Sequence, residues 1–250
     1  MGASEPSRSW FEGASRYRPA DRAAAARCIV TPEMAELILF DIDARGVATI
    51  TLNRPERLNA INLEMRDLIW TYLEACKDTP DVRLIVFCGA GAAFSAGADI
   101  AEFGTAPSIM EARRARHDRD VWDALIGHRC IMVAALHGYC FGAGLELPLC
   151  CDARIAAADA RFALPEVTLG YIPSAGGTQT LPRTVPAGVA AHMILSGEAI
   201  GTADALRWGL IDRITDGDLS AALDEEVERL LALPRGEATR RRQTRLPLSP

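Results

Sequence analysis

Apolar and polar residues alternate along 37–42 and again along 47–52, with the turn Ala44-Arg45-Gly46 between them. A period of two is that of a strand with one face on a core, so the pair predicts a hairpin. From Ile61 the period changes. Ile61, Met65, Leu68, Ile69, Tyr72 and Leu73 recur at helical spacing and predict an amphipathic helix over 62–77. RLIVFCG at 83–89 and IMVAALHG at 131–138 are short apolar runs, the pattern of strands covered on both faces. Between them lie a loop of small residues and a polar helix near 108–127. A short helix begins near Ala143. ARIAAA and RFAL read as strands, GVAAHMILSG and ADALRWG as helices, LIDRIT as a strand, and a last helix covers about 218–232. Strand, strand, helix in recurring order implies an α/β fold with right-handed crossovers.

The pattern delimits one folded domain over 34–232. Residues 1–33, rich in Arg, Ser, Pro and Ala without steady periodicity, read as a flexible N-terminal extension. Residues 233–250 form a flexible basic tail with five arginines against one glutamate, either simply solvated or a phosphate-binding arm. Composition narrows the picture further. With 49% hydrophobic and 24% charged residues the chain is that of a soluble globular protein. A net charge of −6 disfavours nucleic acid as a partner of the domain. No apolar run reaches the length of a membrane span, and the N-terminal residues lack the apolar core of a secretory signal. The seven cysteines are irregularly spaced and lie mostly in apolar runs, as free thiols in a reducing cytoplasm do.

Two buried strands each run into a small-residue segment, FSAGADI at 94–100 and FGAGLEL at 141–147. Small side chains let a ligand approach the backbone and leave N–H groups free to donate. Two such donors aimed at one point make an oxyanion hole. The second segment also opens a helix, whose N-terminus adds partial positive charge. Glu146 follows one turn later, facing the same cavity, and is costly to bury unless it is paired or useful. A second acid, Glu166, sits where Pro165 breaks a strand. Two carboxylates near one water can act as base and acid, though their separation along the chain does not by itself bring them together.

Other candidates are weaker. GAGAAF resembles a dinucleotide fingerprint, but Phe94 stands at its third glycine. Ser95 and Ser174 are possible nucleophiles outside any Gly-x-Ser-x-Gly motif. His117, His128, His137 and His192 lack metal-ligand spacing and read as surface or loop histidines. Asp99 suits loop ordering or helix capping better than catalysis.

LNRPERLNAI, FSAGADIAEF, HGYCFGAGLEL, CDARIAAADARFALPE, LGYIPSAGGTQTLPR and ALRWGLIDRI occur in one order and spacing. Through them the chain resembles the crotonase superfamily of enoyl-CoA hydratases and isomerases over about residues 36–230. The resemblance implies a crotonase-like spiral of ββα units with a shortened C-terminal helical region. It implies an acyl-CoA substrate, a homotrimer or hexamer, and no cofactor beyond the coenzyme A carried by the substrate. It assigns the oxyanion donors to the Ala98 and Ala143 N–H groups and the acid/base pair to Glu146 and Glu166, Glu146 activating water for C3 and Glu166 protonating C2. Coenzyme A would thread past Arg57, Leu58 and Ala60, along backbone from Ala96 through Ala98 and Asp99 to Ile100, and by Gly142. Arg57 would meet a phosphate or only solvent. The loop 103–120 would wall the acyl group. Retention of both glutamates favours hydration. Isomerisation, hydration of a ring-type enoyl-CoA, and a catalytically weak assembly or binding subunit are the alternatives. Three departures stand out: Ala143 for a usual glycine, Pro148 inside the helix that bears Glu146, and Ser174 for a common glycine.

Overall fold

The first hairpin forms where the alternation places it. β1 (Ile38–Ile42) and β2 (Val47–Leu52) pair antiparallel, and the Asp43 carboxylate closes the turn by accepting from the Arg45 and Val47 N–H groups at 2.9 and 3.0 Å. The structure is a computed structural model that describes residues 36–234 apart from 112, 113 and 115–117. The extension expected over 1–33, nearly all of the tail expected over 233–250, and His117 lie outside the described residues.

Beyond β2, the parallel strands β3 (Leu84–Gly89), β4 (Ile131–Leu136), β6 (Ala153–Ala157) and β9 (Arg213–Thr215) complete a six-stranded sheet in the order β1-β2-β3-β4-β6-β9. A second sheet runs β5-β7-β8, from β5 (Tyr139–Phe141), β7 (Arg161–Ala163) and β8 (Ile200–Gly201). After β4 the chain steps across to β5, and after β6 to β7. The same step follows β3, because Ser95 bridges to Cys140 in parallel. It also follows β2, because Ile61 bridges to Ala98. Successive turns of the chain thus lay one strand in the large sheet and then a short strand or an isolated bridge in the second layer, the expected spiral. The small-residue segments lie in the second layer, side by side.

Core packing explains the continuous apolar runs. On one sheet face Ile85, Phe87, Met132 and Ala134 meet the buried side of α1 (Leu63–Asp78), namely Met65, Ile69, Leu73 and Cys76. On the other, Leu84, Val86, Ile131 and Val133 lie under Ala222, Val227 and Leu230 of the last helix, Leu219–Leu231. Strands covered on both faces have no polar side to show. α1 starts where Asn62 accepts from the Met65 N–H at 2.8 Å.

The polar helix expected over 108–127 is interrupted. Helical residues at 109–111 and 114 are followed by a turn at 118–119. There the Asp120 carboxylate caps a separate helix, α2 (Val121–Gly127), by accepting from Trp122 and Asp123. LIDRIT is strand only over its last residues. The N–H groups of Leu210 and Ile211 instead bond Ala205 O.

Candidate active site

Oxyanion donors. The segments 94–98 and 139–144 lie against each other. Ser95 N–H donates to Tyr139 O at 2.9 Å and Phe141 N–H to Ser95 O at 3.0 Å. A side chain at Gly97 would put its Cβ 2.8 Å from Phe141 O and 3.7 Å from the Ala143 nitrogen. Gly97 and Gly142 hold positive φ, 106° and 50°, so the approach requires glycine at both. α3 (Ala143–Leu149) starts here. Gly142 O accepts from Leu145 and Glu146, leaving the Ala143 N–H as one of the unpaired first-turn donors. Ala98 is bracketed by two bonds, Ile61 N–H to Gly97 O at 2.7 Å and Asp99 N–H to Ile61 O at 2.9 Å. Neither the Ala98 nor the Ala143 N–H donates to a protein oxygen among the described residues.

The first carboxylate. Glu146 is buried on α3. Its Oε1 accepts from the N–H groups of Ala175 at 2.9 Å and Gly177 at 2.7 Å. Gly177 opens α4 (Gly177–Thr184), so the carboxylate stands at a helix N-terminus. Donors and dipole both favour negative charge there. A Cβ at Gly177 would lie 2.9 Å from Oε1, which explains the glycine. Pro148 lies within α3, one residue before its end. The carbonyls there turn to Arg154, whose Nη1 donates to Pro148 O at 3.3 Å and Cys151 O at 2.7 Å.

The second carboxylate. Pro165 begins a single 3-10 segment, Pro165–Leu169, that lifts Glu166 out of strand geometry into a buried position. Oε1 lies 3.0 Å from where a Cβ on Gly142 would sit. Oε2 is buried with no hydrogen-bond partner among the described residues. Burial pushes the Glu166 carboxyl above the ordinary glutamate value, its own backbone N–H opposing only in part. Gly142 therefore joins the two acids: Glu166 packs on it, and Glu146 donates its backbone N–H to Gly142 O.

Around this centre, Leu58 and Asn59 take successive left-handed conformations, φ 49° and 54°. They turn the chain so that Ala96 N–H bonds Leu58 O at 2.9 Å. Arg57 and Ile100 are exposed, and Ala60 and Ala96 half-buried. Asp99 caps Ile100–Glu102 by accepting from Ala101 and pairs with Arg54 at 2.5 Å. That Arg54 contact, then the Ala101 N–H, holds its carboxyl below the usual range. Its carboxylate is thus engaged in ordering the loop.

A family model described as enoyl-CoA hydratase/isomerase matches residues 43–237. The chain belongs to that family. The 2,3-dehydroadipyl-CoA hydratase of Escherichia coli is 38% identical over 190 residues, covering 75% of this chain and 72% of the relative. An enoyl-CoA hydratase structure from Mycobacterium smegmatis superposes with TM-score 0.76 at 32% identity, over 81% of this chain and 79% of that one. A Thermobifida fusca structure in complex with CoA reaches TM-score 0.76 at 31% identity, over 84% and 83%. The fold is accordingly the crotonase fold.

Of the histidines read as surface or loop residues, His128 and His137 lie in loops and are buried there. His128 Nδ1 accepts from Cys130 N–H, so its Nε2 carries the proton shared with Leu73 O at 3.0 Å; His137 Nε2 meets Gly91 O at 3.1 Å. Both tie loops to the sheet, and burial lowers the His137 pKa. His192 is exposed beside Glu198. Of the serines, Ser174 is exposed, and Ser95 is buried with its proton given to Asn59 O. No group of three or more metal-ligating side chains occurs among the described residues, and no helix there is long and apolar enough to cross a membrane. The amides of Ala175 and Gly177 went unassigned in the sequence, although the small-residue run SAGG carried the signal. Tyr171 was missed too. Its N–H donates to Glu166 O at 3.2 Å, and its ring meets Phe103 edge-on at 5.5 Å between centroids.

Proposed function

We propose that this chain adds water across the C2–C3 double bond of a 2-enoyl-CoA thioester, giving the 3-hydroxyacyl-CoA. One observation carries the reading: two buried carboxyls in opposite environments are tied to the Gly142 turn, Glu166 by its Oε1 and Glu146 by its place on the helix that starts there, beside two N–H donors without a protein acceptor among the described residues. Glu146, held by two amides at a helix N-terminus, is suited to take a proton from water. Glu166, raised by burial, is suited to give one. The water oxygen bonds to C3 as its proton passes to Glu146. Charge moves onto the thioester oxygen, which the Ala98 and Ala143 N–H groups stabilise. Glu166 then protonates C2. The two carboxyls together end with the one proton they began with, and exchange between them through solvent resets the site. One oxyanion donor is typically worth about 100- to 1000-fold in rate.

Coenzyme A, seen bound in the Thermobifida fusca relative, would follow Arg57, Leu58, Ala60 and the 96–100 backbone. A homotrimer or hexamer is the assembly proposed, read by sedimentation. A buried thiol such as that of Cys76 fits a reducing cytoplasm. The test is loss of conjugated-thioester absorbance on mixing with crotonyl-CoA. A gain of absorbance from a 3-enoyl-CoA, without hydration of crotonyl-CoA, would favour isomerisation instead.

Glu166 also makes a stability prediction. Its folded pKa lies above the unfolded one, so both states are protonated at low pH and no penalty applies. As pH rises through the unfolded value and on to the folded one, the unfolded state ionises first and stability is lost. Glu166→Gln removes that loss. The variant is expected to be inactive yet more stable than the parent at neutral pH, the gain vanishing in acid. Urea midpoints across pH check it.

A further inference from the structure

Ser95 is a buried side chain that touches both halves of the proposed oxyanion site, and the proposed reaction does not use it. Its hydroxyl donates to Asn59 O at 2.8 Å and accepts from the Gly97 N–H at 3.1 Å. The acceptor end of this relay is anchored. Asn59 is fully buried in a left-handed conformation, and its side chain donates to Ala90 O and Ala93 O, both at 2.8 Å, and accepts from the Arg54 N–H at 2.8 Å. The next N–H after Gly97 is that of Ala98. On its other side Ser95 presses on the start of α3. A Cβ at Gly144 would stand 2.5 Å from Ser95 O, 2.7 Å from its Cβ and 2.8 Å from its Oγ. One residue thus bonds the Ala96–Gly97 peptide, next to the one that carries the Ala98 N–H, and touches Gly144, the residue after Ala143.

We propose that Ser95 is a positioning residue that sets the separation and aim of the two oxyanion donors. The proposal rests on the reading of the Ala98 and Ala143 N–H groups as those donors. Without the Oγ bridge the Ala96–Gly97 peptide loses its N–H anchor, and the Gly97–Ala98 peptide is held on one side only, by Ile61, so the aim of the Ala98 N–H shifts away from the thioester oxygen. Oxyanion stabilisation depends on donors already oriented where charge develops, so the loss falls on the chemical step and not on CoA binding.

The test is Ser95→Ala, assayed on crotonyl-CoA, with the infrared band of a carbonyl-13C thioester analogue recorded in the bound state. Expected are a kcat about tenfold lower, a KM within about twofold of the parent, a lowered urea midpoint from loss of the buried bridge, and a carbonyl band moved back toward its solution frequency, in keeping with loss of one hydrogen bond. Ser95→Cys, which keeps a weak donor and acceptor at that position, is expected to recover part of both kcat and band shift. It also carries the comparison if the alanine variant does not fold. A Ser95→Ala enzyme with parental kcat and band position overturns the proposal. So does a fall in stability and kcat together with an unmoved band, which would make Ser95 scaffold only. A parent complex whose carbonyl band does not shift on binding would instead overturn the donor assignment itself, and that result is distinguishable because it is read without any variant.

Discussion

Glu146→Gln lowers kcat for crotonyl-CoA by about 1000-fold, within the range typical of removing a general base. The amide keeps the volume of the side chain, so the variant folds. It cannot take the proton of water. It also sets up a conflict, because Oε1 now accepts from Ala175 and Gly177 as a neutral amide oxygen. The NH₂ group is forced to the other position, while the helix N-terminus of α4 loses the negative charge it faced. KM is expected to change little, because Glu146 makes no part of the proposed CoA path. Combining it with Glu166→Gln is expected to cost far less than the product of the single effects, because in the proposed mechanism the two groups act on one water. Steady-state rates at matched folded concentration check both statements.

Arg154→Leu unfolds the protein at markedly lower urea, a loss of about 3–5 kcal/mol, the range for breaking a buried charged network on one side. Arg154 is 5% exposed. Its Nε donates to Leu210 O at 2.6 Å, its Nη1 to Pro148 O and Cys151 O, and its Nη2 lies 3.5 Å from Asp212. Leucine fills much of the volume and takes the guanidinium away from Leu210 O and Cys151 O, while Pro148 O keeps only the Cys151 N–H. The consequence reaches the site, because Pro148 lies two residues after Glu146 on the same short helix. Arg154→Lys keeps the charge without the planar fork and is expected to lose an intermediate amount. Equilibrium urea unfolding followed by circular dichroism distinguishes the three proteins.

Periodicity carried most of the elements. The strands at 84–89 and 131–136 and the helix at 63–78 follow from apolar spacing, since each must cover itself on a sheet or a core. Short elements escaped. β5, β8 and α4 span few residues, and α4 contains Pro182, so no period develops within them. The break at 118–120 was equally hidden, because a charged surface segment has no apolar stripe to interrupt.

Sequence alone determined the layering and the family resemblance and singled out Glu146 and Glu166 as candidates, because these reside in local spacing and in residue types with few other uses. Tertiary structure decided the rest. The placement of Glu146 at the start of α4, the packing of Glu166 on Gly142, the burial of His128 and His137, and the seating of Ser95 against Gly144 all join residues distant in the chain. Whether a carboxyl meets two amides or a dry wall depends on which loops the spiral stacks together. Charge and protonation follow from those neighbours, not from the side chain's own chemistry.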